Sequence, residues 1–275
     1  MTSTNPLVSV DWLAAHQSDP DLVIVDSRWY LDGTDARGVY EAGHIAGAVF
    51  ADLDVDISAP ASKAGRHPLP TASSFAAAMS NLGIGDNSHV VVYDDCGGVV
   101  AGRLWWMLDA LGRGASVLAG GIDAWTEPLQ VGPTRRIEPA VFTEQSFPST
   151  RFVTADQVAG RSKEVVVVDA RSASRYSGEP FRVDARFGHV PGAVNVPNTE
   201  NFVDGTTDFK TTSQLASAYA KVGIDDPDQP VVVYCGSGVS ASADLLALRL
   251  LGHTNVQLYT GSWSEWGADP DRPIG

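Results

Sequence analysis

Five segments occur twice in this chain, in the same order. LVIVDSR (22–28) returns as VVVVDAR (165–171), and GHIAGAVF (43–50) as GHVPGAVN (188–195). HVVVYDD (89–95) returns as PVVVYCG (230–236), LWWMLDALG (104–112) as LLALRLLG (245–252), and GGIDAW (120–125) as GSWSEW (261–266). The offsets stay between 140 and 145 across all five pairs. Chance yields one such match, not five in series. The 275 residues are therefore a duplication. Each copy of roughly 120–130 residues is large enough to bury its own core and too long for a solenoid unit.

Residues 128–150 carry Pro128, Pro133, Pro139 and Pro148 and almost no apolar periodicity. Proline fixes φ and removes a donor, so this stretch reads as an extended linker. The expected domains are 1–145 and 146–275. Within each half, short β-branched runs such as VVVV and VVVY read as strands buried on both faces. Between them lie segments with helical spacing: SFAAAMSNLG (74–83), SQLASAYAKVG (213–223) and ASADLLALRLLG (241–252). Each ends at glycine, a frequent helix stop. Such alternation predicts an α/β fold with a parallel sheet and helices on both faces. Ligands in such sheets sit at the carboxyl ends of strands.

Composition narrows the function classes. The formal net charge is −14, a poor basis for binding nucleic acid or an anionic membrane, both of which reward clustered Lys and Arg. Residues 1–149 hold eight basic and eighteen acidic residues, and residues 150–275 hold eleven and fifteen, so the second half is the less hostile to an anion. Two cysteines make no disulfide framework. The lack of a Cys-x-x-Cys and the scattered histidines argue against a structural zinc cluster. No run of 18 apolar residues predicts a membrane span. The opening MTSTNPLVSVDW does not read as a signal peptide. The expected compartment is the cytosol, where thiols stay reduced.

The chemistry concentrates just after the second VVVY. In VVVYCGSGVSA (231–241), Cys235 stands at a strand end and opens a loop into a helix. A cysteine inside a core helix would read as packing; one at this junction does not. Gly236 and Gly238 let the backbone of Gly236, Ser237, Gly238, Val239 and Ser240 curl with its N–H groups inward. A nest of amides backed by a helix N-terminus favours an anion and stabilises a thiolate.

These residues, with the paired GHIAGA and GHVPGA segments and the closing YTGSWSEW, resemble the tandem-domain rhodanese family of sulfurtransferases over nearly the whole chain. The resemblance implies two rhodanese-like domains, each a five-stranded parallel sheet flanked by helices, with the sulfur-accepting cysteine, Cys235, in the second. The matching loop of the first half, YDDCGGVVAG (93–102), is one residue longer. It puts Asp94 where Cys235 stands, which implies an inert domain.

Family members that prefer thiosulfate carry basic residues after the cysteine. Gly236 and Ser237 are neutral, and CGSGVSA resembles the 3-mercaptopyruvate sulfurtransferase version. A monocarboxylate donor needs a carboxylate clamp instead. The resemblance gives that role to Arg175, 14 residues before His189, with Arg182 as the second substrate arginine and Arg186 as its rival. It places His44 at the domain interface facing the active loop, as a proton relay to Ser237. RHPLP (66–70) resembles a family segment near the inter-domain cleft, so Arg66 and His67 either border the site or belong to a proline-braced surface loop. Arg171 duplicates Arg28 and reads as an ion-pair partner of Asp169. The tryptophans read as core, with Trp263 also a candidate wall of the donor pocket.

The implied mechanism is double displacement through a Cys235 persulfide, with no metal or organic cofactor. The partners would be a small sulfur donor and a small thiol, thioredoxin or cyanide as acceptor. Three alternatives stand beside it. Thiosulfate could be the main donor, and the chain could be a non-enzymatic persulfide carrier. A cysteine phosphatase needs Cys-x5-Arg to grip its oxyanion, but six residues after Cys235 stands Ala241.

Overall fold

The computed structural model describes residues 5–133 and 137–275. In the first half, strands β1 (Leu7–Val8), β2 (Leu22–Asp26), β3 (Val49–Phe50), β4 (His89–Tyr93) and β5 (Gly114–Leu118) pair in the order β1-β5-β4-β2-β3. In the second, β6 (Phe152–Val153), β7 (Val166–Asp169), β8 (Val194–Asn195), β9 (Val231–Tyr234) and β10 (Val256–Tyr259) pair in the order β6-β10-β9-β7-β8. Every pairing is parallel. The predicted α/β fold is thus present twice, with one topology.

The central strands are the valine runs. Every residue of β4 and β9 is buried, as expected for strands covered on both faces. The first half carries α1 (Val10–His16), α2 (Ala36–Ala42), α3 (Ala72–Asn81) and α4 (Ala101–Ala110). The second carries α5 (Ala155–Ala159), α6 (Ala173–Tyr176), α7 (Thr212–Ala220), α8 (Ala241–Leu250) and α9 (Ser262–Trp266). Thr71 caps α3 by accepting the Ser74 amide. Thr211 and Gln214 form a capping box on α7, which satisfies two of its orphan amides.

Each core has an aromatic anchor. Ile122 and Trp125 pack with Tyr93 in one half, and Trp263 and Trp266 with Tyr234 in the other. Truncating such a buried indole to alanine costs roughly 3–5 kcal/mol.

The compact units do not follow one cut near residue 145. One comprises residues up to Ala59, Pro70–Phe147 and Gly205–Asp208. The other comprises Pro60–Leu69, Pro148–Asp204 and Phe209–Gly275. Side-chain capture explains the first exchange: the Arg66 amide donates to Ser264 Oγ, and Gly65 lies so close to Gly261 that a Cβ would meet its carbonyl at 2.8 Å. The proline-bearing segment is irregular where it is described, with 134–136 outside the described residues. It is not a free tether, because Gln130 exchanges two backbone hydrogen bonds with His44, and the Asp86 amide donates to the Val141 carbonyl. Among the described residues no helix is long and apolar enough to cross a membrane.

Candidate functional site

Cys235 directly follows β9, and its residue is 1 % exposed. The next turn of chain is held by the first turn of α9, which follows β10. Ser262 Oγ accepts the Cys235 amide, while the Trp263 and Ser264 amides donate to the carbonyls of Cys235 and Gly236. A trans peptide points its N–H opposite its C=O, so the Gly236 and Ser237 amides face away from α9. Ser262 accomplishes this with φ +52, the one non-glycine residue at positive φ among those described. Gly238, at φ +76, has no room for a side chain, since a Cβ would press into the Thr260 carbonyl.

The first half shows what such a loop holds. Asp94, buried at the end of β4, accepts the amides of Cys96 and Gly98 on Oδ1 and those of Val100 and Ala101 on Oδ2, all at 2.8–3.0 Å. Counted back from the helix next in the chain, their counterparts are the amides of Gly236, Gly238, Ser240 and Ala241. One cradle is filled by its own carboxylate; the other has a thiol at that position. Burial, and then Asp94 and Asp95, push the neighbouring Cys96 thiol well above the ordinary range, which disfavours its thiolate.

The loop of Cys235 is neutral in sequence but not in space. A Cβ on Gly236 would lie 2.9 Å from Arg66 Nη2 and 3.1 Å from Arg175 Nη2, so two guanidiniums converge on that residue. Of the two readings of Arg66, the one that borders the site fits this geometry. Arg175 is fixed by Asp184, donating through Nε at 2.9 Å and Nη2 at 2.7 Å, and its guanidinium lies 4.2 Å over the Phe181 ring. Arg66 Nη1 donates to the Val183 carbonyl. Burial, with Arg175 and Arg171 nearby, lowers the Arg66 pKa from its usual value, against the pull of Asp184 and Cys235.

Ser237 does have a histidine partner, but it is His67: Nδ1 lies 2.8 Å from Oγ. This corrects the assignment to His44. His44 Nδ1 bonds the Tyr40 carbonyl and its ring stacks on Tyr40. His189 repeats both contacts on Tyr176, so the paired histidines are parts of the duplicated scaffold. Arg28 and Arg171 are paired in the same way, each spanning the carboxylate two residues before it and a glycine carbonyl, Gly43 or Gly188.

Of the two rivals for a second substrate arginine, Arg186 is consumed by backbone carbonyls of Trp266, Gly267, Asp269 and Arg272. Arg182 is exposed. Trp263 is no pocket wall: it is buried, its Nε1 donates to the Arg186 carbonyl, and Arg171 lies 4.5 Å over its ring. Val239 is buried, and Ser240 stands at the N-terminus of α8. Asp184 had no sequence signal: it lies in an aperiodic stretch, RVDAR, where charge reads as solvation.

Comparison with known proteins agrees with this geometry. The Rhodanese-like domain matches twice, over residues 9–128 and 154–269. The chain is 38% identical over 283 residues to 3-mercaptopyruvate sulfurtransferase of Escherichia coli K12, covering 99% of this chain and 98% of that one. It is 34% identical to the mitochondrial thiosulfate/3-mercaptopyruvate sulfurtransferase 1 of Arabidopsis thaliana, covering 100% of this chain and 79% of that one. The crystal structure of Escherichia coli SseA superposes with a TM-score of 0.81 at 36% identity, covering 95% of this chain and all of that one. The chain belongs to the rhodanese family, as a tandem-domain enzyme of the sulfurtransferase class.

Proposed function

We propose that this enzyme takes sulfur from 3-mercaptopyruvate onto Cys235 and passes it to a thiol, thioredoxin or cyanide. One observation carries the reading. Cys235 occupies the position at which the duplicated loop binds a carboxylate, while Arg66 and Arg175 converge on the adjacent Gly236.

In the first half-reaction the Cys235 thiolate attacks the donor sulfur. A sulfur–sulfur bond forms, the carbon–sulfur bond breaks, and its electron pair leaves on pyruvate as the enolate. Arg175 and Arg66 hold the donor carboxylate and fix the line of attack, an orientation effect. The Ser237 hydroxyl, bonded to His67, delivers the proton that the enolate takes up. The amides of Gly236, Gly238, Ser240 and Ala241 hold the persulfide, and Val239 closes the loop behind it. In the second half-reaction an acceptor thiolate attacks the outer sulfur and the Cys235 thiolate leaves. Both cysteines are free thiols, which suits the reducing cytosol.

Thiosulfate is the close second donor, because two guanidiniums beside the loop also suit a dianion. Steady-state comparison of kcat/KM for the two donors decides between them. We expect 3-mercaptopyruvate to be the better substrate, and a larger value for thiosulfate would overturn the assignment. Turnover with free donor and a small thiol separates an enzyme from a persulfide carrier.

A further inference from the structure

We infer that Asp184 sets the charge selectivity of the donor site, a deepening that rests on the sulfur-donor reading above. Its side chain is only 2 % exposed, yet three guanidiniums surround it. Arg175 grips it through Nε and Nη2. Arg66 Nη1 lies 3.9 Å from Oδ1, and Arg171 Nη1 lies 3.8 Å from Oδ2. Arg171 is already matched by Asp169, whose Oδ2 it meets at 2.6 Å. Beside the Cys235 thiolate, which is held by the loop amides and is the same for every donor, the side-chain charges left to act at Gly236 are Arg66, Arg175 and Asp184. Without Asp184 these would present two positive charges, the match for a dianion. With it the site presents one, the match for a monocarboxylate.

Geometry points the same way. The Nε–Nη2 edge is one of the two edges with which an arginine can grip a carboxylate or sulfonate with two parallel bonds. Asp184 occupies that edge of Arg175. The donor is left with the remaining N–H bonds of Arg175 and with Arg66, enough to orient one carboxylate. Asp184 thus acts through Arg175 and Arg66 and is a positioning residue. Its carboxylate also repels a second negative charge on the donor, and repulsion grows in proportion to that charge.

The test is the ratio of kcat/KM for thiosulfate to kcat/KM for 3-mercaptopyruvate, measured at fixed low salt. For thiosulfate the thiolate attacks the outer sulfur and sulfite leaves with the electron pair of the sulfur–sulfur bond. Asp184→Asn keeps the shape and removes the charge, and we expect the ratio to rise about tenfold, the order given by one unit charge at partly screened short range. Arg66→Gln removes a cation instead and should move the ratio the other way. It also keeps the proposal testable where Asp184→Asn does not fold. A purely structural role would lower both donors alike. An unchanged ratio in a folded Asp184→Asn protein, or a ratio that rises in Arg66→Gln, overturns the inference. Failure of the wild type to use 3-mercaptopyruvate would instead overturn the donor assignment on which it rests.

Discussion

The Nδ1 of His67 lies 2.8 Å from the Ser237 hydroxyl, although 170 residues separate them in sequence. Both are buried, at 5 % and 8 % exposure. A buried hydroxyl bonded to an imidazole is equipped to pass a proton, and such a contribution is worth about 10²–10⁴ in rate. Ser237→Ala and His67→Gln should each lower kcat with 3-mercaptopyruvate by about a hundredfold. Because they act as one relay, the double variant should be no slower than the worse single one. Multiplying defects would disprove the relay.

Cys235 should be the sole sulfur acceptor. Cys235→Ser abolishes activity, whereas Cys96→Ser retains most of it, because burial, Asp94 and Asp95 all disfavour a thiolate at Cys96. Intact-mass and peptide mass spectrometry after donor treatment should find one added sulfur, on the peptide containing Cys235. Sulfur on the Cys96 peptide would contradict the assignment.

Loss of the Arg175 clamp should cost roughly 1.5–3 kcal/mol of transition-state binding, the range for hydrogen bonds to charged groups. In Arg175→Ala that is a fall in kcat/KM for 3-mercaptopyruvate of about ten- to 150-fold. An unaltered kcat/KM in a folded variant would remove Arg175 from the donor site.

How much of the molecule was legible in sequence depends on the range of the interactions involved. The duplication, the parallel sheets and the cysteine loop are local patterns: a valine run, a glycine turn, a helix stop. Asp94 in place of Cys235 was visible because the repeat supplied its own alignment. The site's other half was visible only as an alternative, with Arg66 and His67 either bordering the site or bracing a surface loop. Arg66 and His67 reach the loop only because Gly65 and the Arg66 amide dock on Gly261 and Ser264, contacts that no periodicity encodes. The resemblance made His44 a proton relay, but its place in the repeat marks a shared scaffold, since His189 makes the same two contacts. Gly236 and Ser237 are neutral residues, and a neutral loop says nothing of cations delivered through space.

Asp244 offers a pH test away from the loop. It is fully buried in α8, accepting from Asn201 Nδ2 and Tyr219 Oη on Oδ1, while Oδ2 has no hydrogen-bond partner. Burial raises its pKa to about 7, above the ~3.9 of an unfolded aspartate. The folded state thus favours the proton. The resulting stabilisation is complete below about pH 4 and is lost as pH rises through about 7, a few kcal/mol in all. Asp244→Asn removes this dependence. Urea unfolding of the two proteins should show the variant gaining on the wild type between about pH 4 and 7 and no further change above, and parallel curves would contradict the buried titration.

Asp94 allows a test of the cradle itself. Its carboxylate satisfies four backbone amides within the first unit. Asp94→Ala removes that acceptor and leaves those donors buried around a small gap. An unsatisfied buried polar group costs about 1–3 kcal/mol, so the variant should unfold at a clearly lower Tm than the wild type. If the loop is an anion site filled by its own side chain, an added anion should replace the lost carboxylate. Sulfate or thiosulfate should therefore raise the Tm of Asp94→Ala more than that of the wild type, with chloride at equal ionic strength as the control for general salt effects. Transfer activity should persist in the folded variant, because Cys235 and its loop are unchanged. Equal sulfate responses in the two proteins would mean that the first loop is shaped for an aspartate and nothing else.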